Sequence, residues 1–229
     1  MQKIVLIILT LIFSNSLALS PYIGNYELYA DTKMGNLKIG TAILNLNIKE
    51  DQFIFTTEAK TESLWKTLYD YSRSEKSTGN EVDGQVINNY FSVIEKIKDE
   101  TKKNYEINIS TDKNYAISSS GEEWEIKPGL LVDPLSVYLA LSNDMLNKPE
   151  QNEFTYQVVD QDGVKYLKFR LDGEENLEIN GSEIKTLRVI CDELKLTLNL
   201  SAKDNFQPIK IRKVNGKTEF TMILIEFTG

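Results

Sequence analysis

The side chains that most often do chemistry are nearly absent from this chain. Its 229 residues include no histidine and a single cysteine, Cys191. Serine or cysteine nucleophiles activated by an imidazole are therefore excluded. A zinc site would need an all-carboxylate shell, which zinc rarely takes. Cys191 closes the apolar stretch Leu187-Arg-Val-Ile-Cys191. With no base to deprotonate it, it reads as a buried, inert thiol. Ser63-Leu-Trp-Lys66 matches the S-x-x-K tetrad of penicillin-recognising enzymes, but the companion motifs of that set are missing. Gly216-Lys-Thr218 mimics the end of a phosphate-binding loop, yet the first glycine of that loop would fall at Ile211. Asp160-Gln-Asp162-Gly163 begins like a calcium loop, and its twelfth position is Leu171 rather than glutamate. Glu122, Glu123 and Glu125, and Glu174 with Glu175, lie in polar contexts. A glycan hydrolase would need two such carboxylates converging across a groove. No catalytic residue, metal ligand or cofactor is assigned.

Aromatic residues are the more informative set. Eleven tyrosines, nine phenylalanines and two tryptophans are spread over the chain. Cross-strand packing accounts for most of them. The mouth of a curved sheet that holds an apolar ligand would use the same residues. The candidate ligand-binding residues are Trp65, Leu68 and Tyr69 on one short helix and Tyr138 on the apolar face of a second.

The elements that must position them are mostly strands. Leu194, Leu196, Leu198 and Leu200 alternate with Lys195, Thr197 and Asn199. Leu44, Leu46 and Ile48 alternate with Asn45 and Asn47; Leu167, Phe169 and Leu171 alternate with Lys168 and Arg170. Each run is a strand with one dry and one wet face. Asp162-Gly163, Asn180-Gly181 and Asn215-Gly216 suit tight hairpins, with Asp83-Gly84 and Asp172-Gly173 as weaker versions. About ten strands are expected, nearly all antiparallel. Two segments break the alternation. Residues 62–70 place Leu64, Trp65, Leu68 and Tyr69 at helical spacing. In residues 134–146, Asp133 can cap, Pro134 suits the first helical position, and an apolar face follows. The expected fold is mainly β: an antiparallel, strongly curved sheet or an open or closed β-barrel, with one or two short helices.

Met1-Gln-Lys3, the apolar run Ile4–Phe13 and Ser14-Asn-Ser-Leu-Ala18 have the order of a secretory signal, with cleavage expected after Ala18. Residues 19–229 are then a single exported domain, expected in a periplasm. No second apolar run reaches the length of a transmembrane helix, so the mature chain is expected to lack such an anchor. The formal net charge is −8, with acids and bases interspersed. A nucleic-acid partner, which needs a basic face, is not expected.

Short motifs resemble the bacterial domain-of-unknown-function family 3108. They are the Tyr-rich opening Tyr26-Glu-Leu-Tyr29, then Lys38-Ile-Gly40-Thr-Ala42 and the Ser/Gly strand Ser72–Gly79. Val132-Asp-Pro-Leu-Ser136 and Gln207-Pro-Ile-Lys-Ile-Arg212 follow. Leu196-Thr-Leu-Asn-Leu200 stands where that family is expected to carry a Trp-containing strand. The resemblance implies a periplasmic, mostly antiparallel β protein and brings no activity with it. The leading expectation is a non-enzymatic cell-envelope protein that binds an apolar or amphiphilic ligand such as a lipid, or an envelope partner, through its curved sheet. The alternative is a structural or interaction module without a ligand pocket, engaged through its strand edges. A carboxylate-based glycan hydrolase is the third reading.

Overall fold

The computed structural model describes residues 19–229 except Met34 and Asp83, so the signal segment 1–18 lies outside the described residues. Fifteen strands form one sheet. The first six are β1 (Tyr22–Thr32), β2 (Gly35–Lys49), β3 (Gln52–Thr61), β4 (Tyr71–Val82), β5 (Gln85–Ile97) and β6 (Glu100–Ser110). Three short ones follow: β7 (Tyr115–Ser118), β8 (Glu123–Glu125) and β9 (Leu131–Val132). The last six are β10 (Glu153–Asp160), β11 (Gly163–Ile179), β12 (Ser182–Cys191), β13 (Leu196–Ser201), β14 (Gln207–Asn215) and β15 (Thr218–Thr228). Helix α1 (Ser63–Leu68) joins β3 to β4, and α2 (Val137–Asn147) precedes β10. Spatial order follows chain order, except that β1 pairs with β15 and so joins the two halves back to back. Every ladder is antiparallel apart from the two-residue parallel pairing of β9 with β10. Sequence alternation could not show β8 and β9, because three and two residues are too few to display a period.

The sheet curls around its apolar face. Tyr26, Leu44, Phe55, Phe91, Ile107, Phe169 and Leu198 come from seven strands and join one buried cluster. Helix α2 lies in that cluster. Leu139, Ala140, Leu141, Ser142 and Asn143 are consecutive and all buried. A helix dry on every side is inside a fold rather than on it. Ser142 Oγ donates to Phe206 O at 2.8 Å, Asn143 Nδ2 to Gly84 O, and Tyr156 OH to Asp144 Oδ2 at 2.7 Å. These bonds tie α2 to the β13–β14 loop, the β4–β5 turn and β10. The helix thus plugs one end of the curl.

The two ends of the sheet do not pair with each other. Instead, the segment after β8 crosses β10. The Gln157 side chain accepts from Lys127 N at 3.1 Å and donates to Lys127 O at 2.8 Å, mimicking a strand neighbour. The Lys127 ammonium sits 5.6 Å from the centre of the Tyr166 ring on β11. Gly163 takes φ +109°, a conformation that favours glycine, and a Cβ there would come 3.2 Å from the Trp124 indole nitrogen, so the ring would have to shift.

The start of α2 is set by a buried carboxylate. The helix begins at Val137, three residues later than the sequence pattern suggests. Asp133 first accepts from Leu135 N and Ser136 N, each at 2.8 Å, forming a turn. Its other oxygen accepts from Ser77 Oγ on β4 and Asn88 Nδ2 on β5. Asp133 is 0% exposed, so it locks the plug to the wall. Burial pushes its carboxyl up to about 6 from 3.8, against the opposing pull of the Ser77, Ser136 and Leu135 donors. Asn88 Oδ1 nearby is buried without a partner among the described residues. A carboxyl whose value rises on folding stabilises the fold in its protonated form. That contribution is complete below the unfolded value and is lost as pH climbs through about 6; it amounts to about 3 kcal/mol. Urea midpoints should therefore rise as pH falls from about 7 to about 5, and Asp133→Asn should lose that rise. A midpoint that falls over this window, or an unchanged rise in the variant, would contradict the assignment.

Candidate functional site

Of the four sequence-derived candidates, three lie on the surface at the end of the curl opposite the plug. Thr61 Oγ1 donates to Tyr69 O and accepts from Tyr71 N, both at 2.9 Å, and so closes the corner that carries α1. None of the residues of α1 is buried. Leu64 is 67% exposed, Leu68 59% and Tyr69 49%; Trp65 is half-buried. Helix α1 therefore lies at the rim rather than inside. Tyr69 stacks on Tyr71, with ring centres 6.2 Å apart and planes 8° apart.

Tyr71 leads inward to a polar layer that sequence reading missed. Alternation puts Tyr71, Arg73, Glu75 and Ser77 on the inner face of β4. Arg73 bonds Glu95 on β5 at 2.6 Å and Glu75 at 2.5 Å. Burial alone would weaken the guanidinium's charge; Glu75 and Glu95 outweigh it and hold Arg73 firmly protonated. Tyr71 OH reaches Glu95 at 3.4 Å, and burial followed by that carboxylate lifts its phenol to about 12. In the sequence, Arg73 and Glu75 looked like solvated strand residues. The cue available was the odd-numbered series from Tyr71 to Gly79, which mixes polar and small residues on a face that should be dry.

Tyr138, the fourth candidate, is on the first turn of α2 and points into this interior. Burial, then the Glu75 carboxylate and the Cys191 thiol, push its phenol well above the ordinary tyrosine value. Its hydroxyl has no hydrogen-bond partner among the described residues. Tyr26 nearby donates to Pro208 O at 2.7 Å. Burial likewise pushes Cys191 up to about 11, consistent with an inert thiol. Trp65, Leu68 and Tyr69 thus stand at the rim of a compartment whose inner wall includes Tyr138. The structure does not bring the four into one pocket.

A recess lies elsewhere, on the outer face. It is a trough of about 420 Å³ running across β15, β1, β2, β3 and β4. Its lining includes Ile43, Ile225, Ala42, Ala59, Glu58 and Lys60. Pairing of Ile43 with Glu58 and of Thr41 with Lys60 places these on two neighbouring outward rows. Ile225 is the extra residue where the β1–β15 register shifts, and bulges of this kind bend a strand. Ile43 is 42% and Ile225 38% exposed, so apolar groups face solvent beside charged ones. None of the four sequence-derived candidates lines the trough. A smaller recess of about 160 Å³ lies between α2 and the wall near Val86 and Tyr156.

No protein-family model and no curated protein matches the chain. Among solved structures it is similar to the crystal structure of a β-barrel-like protein of domain of unknown function DUF1849 from Brucella abortus. The TM-score is 0.57 at 12% identity, over 91% of this chain and 97% of that one. At that identity the likeness shows the fold alone: a mostly β, barrel-like curved sheet with two helices. The neighbour is named for a different family from the one that the short motifs resemble.

The two interior tyrosines should respond differently to loss of their hydroxyls. Tyr26→Phe strands the buried Pro208 carbonyl and should cost about 1–3 kcal/mol in denaturant unfolding. Tyr138→Phe removes no bond and should stay within about 0.5 kcal/mol of the parent. Equal losses would show that Tyr138 has a structural partner in the folded protein.

Proposed function

We propose that this is an exported, non-enzymatic protein of the cell envelope that binds an amphiphilic molecule on the outer face of its curved sheet. One observation carries the reading. Helix α2 fills one end of the curl, whereas the outer trough, at about 420 Å³, has the volume of a small-molecule site. Its composition suits an amphiphile. Ile43 and Ile225 offer apolar surface, and Lys60 and Glu58 stand beside them to fix a polar group. Export and a periplasmic location rest on the signal pattern in residues 1–18. Membership of family 3108 rests on the short motifs. In the fold, Lys38–Ala42 falls within β2, Val132–Ser136 supplies the Asp133 turn, and Gln207–Arg212 forms most of β14.

A second reading, an interaction module of the envelope, is favoured by the exposed Leu64, Leu68 and Tyr69 on α1. Such residues are costly to leave facing water without a partner. Native mass spectrometry of the exported protein, purified without detergent, separates the two. A co-purifying mass in the lipid range should be present in the parent protein. It should be lost in Ile43→Glu and Ile225→Glu and kept in Tyr138→Phe. A bare polypeptide mass would overturn the amphiphile reading and leave the interaction module.

A further inference from the structure

The ladder between β10 and β11 stops at the Glu153–Arg170 pair, but β11 continues to Ile179. The last backbone bond on that side is Leu171 N to Asn152 O at 2.8 Å. Beyond it, residues 172–179 pair with β12 alone. The break coincides with a register shift between Leu171 and Gly173, where Gly173 takes φ +118°, a conformation that favours glycine. From there the hairpin becomes an arm laid against the outer face. Glu175 accepts from Asn199 Nδ2 at 3.0 Å, and the Asn180 amide at the tip donates to Ile225 O at 2.8 Å. Leu177, Ile179 and Ile184 pack against the core.

The arm leaves a strand edge open. A two-residue turn joins the Ile179–Ser182 pair, so that pair exchanges backbone bonds and alternate residues face away. Glu174, Asn176 and Glu178 therefore aim their N–H and C=O groups outward, along an edge with no neighbouring strand among the described residues. Their side chains are exposed. The two ends of the sheet, in contrast, are blunted to three and two residues.

Charge on the arm selects its occupant. Glu178 lies directly opposite Glu183, and like charges facing each other across a ladder are destabilising. Neither has an ion-pair partner among the described residues; Glu174 has Lys185 at 2.8 Å. A strand added beside β11 with a cation opposite Glu178 would relieve that repulsion while pairing the open backbone groups. A second copy of this edge would add further acids instead. We propose that the free edge of β11, residues 172–179, is a docking site for an extended basic segment of a partner protein, held by strand addition. Residues 172–179 do not line the trough, although the tip of the arm is bonded to the trough residue Ile225 through Asn180.

The test uses the whole mature protein and two synthetic ten-residue peptides, alternating lysine with valine or glutamate with valine. The lysine peptide should bind saturably in fluorescence anisotropy and slow hydrogen exchange at the Glu174, Asn176 and Glu178 amides. Glu178→Lys should weaken it about tenfold by reversing the charge. Asn176→Pro removes an edge N–H, together with the side-chain bond to Glu183 at 2.6 Å, without changing charge, and should weaken it comparably; Asn176→Ala, which loses only the side-chain bond, should not, and circular dichroism confirms that each variant is folded. Equal binding of the glutamate peptide would overturn the proposal. So would slowed exchange elsewhere only, undiminished binding to Asn176→Pro, or no saturable binding of the lysine peptide up to about 1 mM.

Discussion

A sheet of this length, curled on its apolar face, must enclose something, and α2 is what it encloses. The buried Asp133 makes that arrangement specific. Its carboxyl gathers the first turn of α2, β4 and β5 around one point by accepting from Leu135 N, Ser136 N, Ser77 and Asn88. Burying a carboxyl is expensive unless donors surround it. Here four donors do, and the residual cost appears as the upward displacement of its titration. Remove that knot and the helix loses its register against the wall, while its apolar side chains lose the surface they cover.

Filling the interior has consequences for the surface. An enclosed lumen would have offered a ready ligand chamber. With α2 inside, the remaining space near Tyr138 is bounded by the Arg73, Glu75 and Glu95 ion pairs, which occupy one another. The trough of about 420 Å³ lies on the outer face instead. The bulge at Ile225 and the arm beyond Gly173 are both departures from regular pairing, and both shape the outer face. The overlap sealed by Gln157 belongs with them. It closes the curl with one side-chain amide where a ladder would have needed matched strands, so the ends of the sheet can stay short.

Much of the fold was legible in the sequence because its signals are local. Period-2 runs such as Leu44–Ile48 and the Asn180-Gly181 turn report directly on backbone and face; Leu194, at the head of the Leu194–Leu200 run, falls instead in the turn before β13, and the turn at Asn215 is Gly216-Lys217. The two helices were legible for the same reason, though the Asp133 turn delays the second. What failed to show is what depends on long-range contact. Asp172-Gly173 has the composition of a turn and is instead the bulge that bends the arm, because β11 runs straight through it. Arg73, Glu75 and Glu95 form one cluster only because β4 and β5 set them side by side on an inward face. The pairing of β1 with β15, nearly the whole described chain apart, leaves no local trace. Trp65, Leu68, Tyr69 and Tyr138 were chosen for residue type. Type alone could not say that three lie at a rim and the fourth faces the interior.

Amide hydrogen exchange of the mature protein, followed by mass spectrometry, tests the filled interior most directly. If α2 is a fixed part of the core, the amides of residues 141–147 should exchange as slowly as those of β5, through global unfolding alone. Rapid exchange in α2 while β5 stays protected would contradict this. It would mean that the helix leaves the curl in the folded protein and would move the proposed amphiphile site from the outer face to the interior.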